Sequence, residues 1–129
     1  MKNYQIIVEP MPNPPQPHEL KAAFVIATYF KTDMIFLRPN DYGTPDLKNT
    51  HTDEVWELKS PLGKSKKTIE NNLREARKQS QNIIVDLSRC KLNELEAISR
   101  TKFYLKQGHR NIKQLKIIKK NGKILDILP

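Results

Sequence analysis

"VWELKSPLGKSKKTIENNLREARKQSQNIIVDLS", residues 55–88, decides the fold. It opens with an alternation of apolar and polar residues that Pro61 stops, which is the pattern of a strand. A basic loop follows. From about Ser65 to Ser80 the residues Ile69, Leu73 and Ala76 recur at four- and three-residue steps, so a helix with one buried side is expected. Asn82–Ser88 then puts Ile83, Ile84, Val85 and Leu87 into five positions, the composition of a central strand buried on both faces. A strand–helix–strand passage of this length requires a crossover, which favours an α/β fold with a parallel pair.

Outward from this unit the chain reads as more of the same layer. On the N-terminal side, Tyr4–Val8 is a short strand. The five prolines of residues 9–17 make an extended lead-in to the core. His18–Phe30 is a helix whose apolar residues include Leu20, Phe24, Ala27, Ala23, Ile26 and Phe30. Residues 33–39 form a buried strand ended by Pro39, and residues 41–46, "DYGTPD", are turn chemistry. On the C-terminal side, Asn93 to about Gly108 is a helix, capped by Asn93 and Glu96, with Leu95, Ile98 and Leu105 inward. Asn121-Gly122 between two apolar runs announces a β-hairpin. The expectation is one domain over 1–129, with a mixed sheet flanked by helices and closed by that hairpin.

Charge is spread unevenly. The chain carries a formal +9, yet residues 1–59 hold 6 Lys/Arg against 8 Asp/Glu, and residues 60–129 hold 17 against 6. An acidic half can gather carboxylates around a cation, and a basic half can hold a polyanion. The bland reading is a solvated lysine-rich surface. With a single cysteine, Cys90, no internal disulfide forms, which fits a reducing compartment, and Cys90 reads as an inert thiol. No apolar run is long enough to span a bilayer. His18, His51 and His109 lack metal-ligand spacing and read as surface residues, and no zinc, phosphate-loop or Ser/His/Asp pattern occurs.

The triplet Glu-Leu-Lys occurs twice, at 19–21 and at 57–59. On a strand, side chains two apart share a face, so Glu57 and Lys59 stand side by side. On a helix, Glu19 and Lys21 diverge by about 200°. Only the second copy is a local unit. A carboxylate that binds Mg²⁺ or Mn²⁺ beside a lysine suits metal-assisted hydrolysis of a phosphate ester, and Asp46 is the candidate second carboxylate. Asp53 and Glu54 are weaker candidates. The alternative is an ordinary surface ion pair. Lys64, Lys66 and Lys67 are candidate phosphate contacts. Thr68 either helps hold substrate or begins the helix. Lys116, Lys119, Lys120 and Lys123 either extend the phosphate track or protect an edge strand. Asp86 reads as structural.

Pro45-Asp46 followed by Glu57-Leu58-Lys59 resembles the signature of the PD-(D/E)XK nuclease superfamily. The longer segment, with its Lys-Ser-Pro turn, basic loop and Gln-Ser before Ile-Ile-Val-Asp, resembles the C-terminal tRNase domain of CdiA-type contact-dependent growth inhibition toxins. The resemblance implies a restriction-endonuclease-like core. It also implies Asp46, Glu57 and Glu19 as ligands of Mg²⁺ or Mn²⁺, with Zn²⁺ a further option, and the Leu58 carbonyl assisting. Lys59 would be the catalytic lysine, and Ser60 and Gln79 polar active-site residues. Glu19 equally suits an ordinary helix-start acid, and Gln79 an exposed helix-end residue. The implied substrate is RNA, tRNA above all, with DNA less favoured. A cognate immunity protein and a cytoplasmic site of action are implied as well. Two rivals stay open: a DNA endonuclease of the same fold, and a nucleic-acid-binding module without catalysis. Such toxins are the tips of very large secreted proteins, whereas this sequence starts at Met1, so a stand-alone chain or an excised domain is expected.

Overall fold

The computed structural model describes residues 3–39, 46–108 and 111–128. Among these, ten elements follow one another: β1 (Ile6–Val8), α1 (Pro17–Phe30), β2 (Met34–Phe36), β3 (Leu47–Asn49), β4 (Val55–Lys59), α2 (Thr68–Gln79), β5 (Asn82–Asp86), α3 (Glu94–Lys106), β6 (Gln114–Ile118) and β7 (Ile124–Leu128). The strands form one sheet in chain order. β1 pairs parallel with β2, and β3 is antiparallel to both β2 and β4. β4, β5 and β6 are mutually parallel, and β7 returns antiparallel. The expected crossover unit is therefore β4–α2–β5, and a second, β5–α3–β6, extends it.

Alternation along the strands divides the interior in two. Trp56, Leu58 and Ile84 join Ala22, Ala23, Ile26 and Ala27 of α1 on one face. Ile83, Val85, Leu115 and Ile117 meet Ile69, Leu73 and Ala76 of α2 and Ala97 and Tyr104 of α3 on the other. β5 is buried on both faces, which is why it reads as a continuous apolar run. No helix among the described residues is long and apolar enough to cross a membrane.

Several details depart from the sequence expectation. The lead-in is not outside the core: β1 is an edge strand of the sheet, and Tyr4, Ile6 and Met11 pack against the α1 cluster. Arg38 holds the proline-rich segment, its backbone N–H donating to Glu9 Oε1 at 2.6 Å and its Nε to the Pro10 carbonyl at 3.1 Å. α1 rests on small residues, so Leu20 and Phe24, which lie about 200° around the helix from Ala22, stay largely exposed. α3 turns Ala97, Thr101 and Tyr104 inward with Ile98 and Leu105 packed against the same core as expected, but Leu95 is 77% exposed on the far side. Its cap is as expected, with Asn93 Oδ1 accepting from Leu95 and Glu96 N–H. α2 starts at Thr68 rather than near Ser65, because Ser65 Oγ takes the Lys67 N–H in a local turn. The hairpin is closed by Lys119 N–H to the Lys123 carbonyl, with Gly122 alone at positive φ (84°). That is a type I turn followed by a left-handed residue, the three-residue hairpin loop. Pro45, the rest of the 41–45 turn and His109 lie outside the described residues.

Candidate active site

The carboxyl ends of β4, β5 and β6 face one edge of the sheet, together with the start of β3, the N-termini of all three helices and the β6–β7 hairpin. In open α/β sheets that edge is where ligands bind. Asp46 sits one step beyond the Leu47–Trp56 pair, next to Glu57 on β4. Its Oδ2 accepts the Leu58 N–H at 3.2 Å, so the carboxylate continues the β3–β4 ladder in place of a main-chain acceptor. Glu57 points to the α2 face and is 5% exposed. Lys59, two residues on, brings its Nζ to 3.6 Å from Glu57 Oε2, as strand geometry requires. Lys59 is the outer member, with a quarter of its side chain open to solvent.

This placement is electrostatically tense. Burial pushes the Glu57 carboxyl up to about 8, the neighbouring Asp46 charge adds to the shift, and Lys59 opposes it. Burial also raises Asp46; the Leu58 N–H bond opposes that shift and the Glu19 charge adds to it. Glu57 Oε1 is buried with no hydrogen-bond partner. An orphaned carboxylate oxygen inside a like-charged pair is an arrangement that a hard divalent cation relieves, because it supplies the missing charge and takes oxygen ligands. The two carboxylates therefore fit Mg²⁺ or Mn²⁺, which keep several waters and complete their shell from substrate phosphate. The described residues contain no group of three or more His, Cys, Asp or Glu placed to hold an ion.

The remaining expected residues take distinct places. Glu19 and Asp46 line a common cleft of about 110 Å³. Glu19 Oε1 accepts the Gln16 N–H at 2.9 Å, so it is engaged as a helix-start acid while its charge reaches Asp46. Ser60 follows Lys59, and its Oγ is buried without a partner. Lys64, Lys66 and Lys67 stand exposed on the loop that leaves β4 at the same edge. Thr68 opens α2 and packs against Gly63. Gln79 lies at the other end of α2, next to Ser80, whose hydroxyl bonds the Val55 carbonyl at the start of β4. The fold thus gathers Asp46, Glu57 and Lys59, follows them with Ser60 in the chain, flanks them with Glu19 and the basic loop, and sets Gln79 toward the opposite edge.

One lysine-track expectation changes. Lys116 is 4% exposed, bonds Asp126 at 2.8 Å and has the rings of Tyr29, Phe30 and Trp56 within 5.9 Å of its Nζ, so it is an internal cation and no phosphate contact. Lys119, Lys120 and Lys123 remain at the hairpin. Arg89 is a cation no motif announces; its only clue is a position just past the end of the central strand. Its Nε is buried without a hydrogen-bond partner, and its turn is tied to the basic loop through Lys91 N–H to the Leu62 carbonyl and the Cys90 thiol to the Gly63 carbonyl. That contact explains why Cys90 is a buried thiol.

Comparison with known proteins agrees with this architecture. A solved structure, the CdiA-CT/CdiI toxin and immunity complex from Burkholderia pseudomallei, superposes with a TM-score of 0.63 over 97% of this chain and 99% of that one. At 16% identity the likeness is one of fold. No curated protein sequence matches. The family model of the contact-dependent growth inhibition CdiA C-terminal domain matches residues 44–124, the stretch that holds Asp46, Glu57, Lys59 and the basic loop. With that match across well over half its length, this chain belongs to the CdiA C-terminal domain family.

Proposed function

We propose that this chain is a toxin-type nuclease of the PD-(D/E)XK kind that hydrolyses phosphodiester bonds in RNA, tRNA foremost, with Mg²⁺ or Mn²⁺. The observation that carries this reading is the buried Asp46–Glu57 pair with Lys59 at 3.6 Å, at the carboxyl edge of the parallel strands. A divalent cation bound there would supply Lewis-acid chemistry, lowering the pKa of the attacking water and neutralising charge on the phosphate. Asp46 and Glu57 would hold that cation: the Leu58 N–H fixes Asp46, and the strand pleat fixes Glu57. Lys59, ion-paired on one side and open on the other, orients the water or stabilises the charge that builds on the phosphoryl oxygens. The water oxygen bonds to phosphorus and gives up one proton to bulk water, the phosphorus–oxygen ester bond breaks, and the leaving oxygen takes a proton from bulk water. The loop lysines position the backbone on either side. An all-oxygen donor pair favours Mg²⁺ or Mn²⁺ over Zn²⁺, which prefers a closed set of nitrogen or sulfur ligands.

The tRNA preference and a cytoplasmic site of action rest on the resemblance of residues 44–88 to the tRNase toxin domains. The structural neighbour was solved with its immunity protein, and a cognate immunity partner is part of this reading. The test is cleavage of total tRNA, other RNA and duplex DNA, with Mg²⁺, Mn²⁺ or EDTA, by the wild type, Glu57→Ala and Lys59→Ala. The expected result is metal-dependent RNA cleavage lost in both variants, by about 100-fold or more. Cleavage of duplex DNA alone would move the reading to a DNA endonuclease. Nucleic-acid binding without any cleavage would leave a binding module.

A further inference from the structure

Between the N-terminus of α2 and the outer side of α3 lies a second cleft, of about 290 Å³. It is lined by Lys66 and Lys67 from the basic loop, by Glu70 of α2, by Arg100, Phe103 and Tyr104 of α3, and by Gln107 just after it. Helical spacing puts Arg100, Phe103 and Gln107 on one ridge. Phe103 is 57% exposed, so one face of its ring is open to a ligand in the cleft. The acid in this cleft is already engaged: Glu70 pairs with Arg74 at 3.0 Å. Arg100 pairs with Glu96 at 3.1 Å. Lys66 and Lys67 have no acidic partner within 4 Å among the described residues.

We infer that this cleft is a subsite for one unstacked nucleobase, with Phe103 as the stacking platform and Lys66 and Lys67 holding the flanking phosphates. An exposed ring sharing a cleft with free ammonium groups is the chemistry that recognises single-stranded nucleic acid, where a base can leave its stack and its phosphates need counter-charge. Gln107 adds an amide able to donate to and accept from a base edge. A duplex keeps its bases stacked and gains only the lysines. The subsite rests on the nuclease reading and sharpens it: the substrate is a looped or single-stranded segment, entered beside the basic loop that follows Lys59.

The test separates the two claims. Dissociation constants for a single-stranded oligoribonucleotide and for a blunt RNA duplex are measured by fluorescence anisotropy in Mg²⁺. A Lys59→Ala background keeps the carboxylate pair while switching cleavage off, and wild-type cleavage is assayed in parallel. Phe103→Ala is expected to weaken single-strand binding about tenfold or more, with Phe103→Trp restoring it and duplex binding unchanged. Phe103 is exposed, so unchanged melting temperatures should accompany all three proteins. Single-strand binding within twofold of the parent in Phe103→Ala would overturn the subsite and leave the patch to a protein partner. Loss of both substrates in equal proportion would overturn it too, because stacking would not be the cause. Phe103-dependent binding without wild-type cleavage would uphold the subsite while removing the nuclease reading.

Discussion

Glu57 is the residue on which the chemistry and the stability of this fold collide. Its carboxyl is raised to about 8, chiefly by burial. A proton retained in the folded state but released in the unfolded chain ties stability to pH in a definite direction. Below the ordinary carboxylate value of 4.5 both states are protonated; between there and about 8 the folded state alone keeps the proton. Stability of the metal-free protein therefore falls as pH rises through that window. Glu57→Gln removes the titration. We expect its melting temperature at pH 8 in EDTA to exceed the wild type's by on the order of 5 °C, with the difference vanishing near pH 4. Mg²⁺ should raise the wild type more at pH 8 than at pH 5 and leave the variant unmoved. A variant that follows the wild-type pH slope would show that Glu57 is not the titrating group. At this scale the sequence was informative: period two on a strand sufficed to pair Glu57 with Lys59. It was silent on Phe103 and Arg89, whose meaning comes from neighbours far away in the chain.

At the scale of the element, legibility followed the strength of local signals. The β4–α2–β5 unit was readable because Pro61, the Ile69–Leu73–Ala76 spacing and the apolar run of β5 each allow one structure. β3, three residues long, owes its place to pairing with β2 and β4 and carries little signal of its own. Helix faces were read in part: Ile26, Phe30, Ile98 and Leu105 face the core as expected, while Leu20, Phe24 and Leu95 stay outside and alanines and a threonine complete the buried side. The loop from Ser60 to Lys67 shows a tighter constraint. A Cβ on Gly63 would collide with Thr68 Oγ1, the side chain that opens α2. Gly63 is required here for close approach rather than for its backbone angles. Gly63→Ala should cost about 1–2 kcal/mol in urea unfolding and shift the basic loop away from Lys59. Adding Thr68→Ala should recover most of that loss, because the two changes share one contact. Additive losses in the double variant would mean the strain lies elsewhere.

The whole molecule separates its charge by position as well as by sign. The acidic half of the sequence supplies the carboxylate pair, and the basic half supplies Lys64, Lys66, Lys67 and Arg89 around it. The same sheet carries exposed lysines at its opposite edge, where α1 ends at Lys31 and β6 is entered at Lys113. Removing charge from one edge at a time tells a polyanion site from a generally basic surface. Each phosphate contact removed lowers the slope of log K against log salt by roughly 0.7 for a single strand. Substituting Lys64, Lys66 and Lys67 by alanine should flatten that slope by about 2 and weaken single-strand binding most at low salt. Lys31→Ala with Lys113→Ala also removes positive charge, but from the wrong edge, and its slope should match the wild type. Equal flattening in both variants would reduce the basic half to a solvated surface and leave the carboxylate pair without a track leading to it. A flattened slope in the loop variant alone would show that nucleic acid reads where the charges stand.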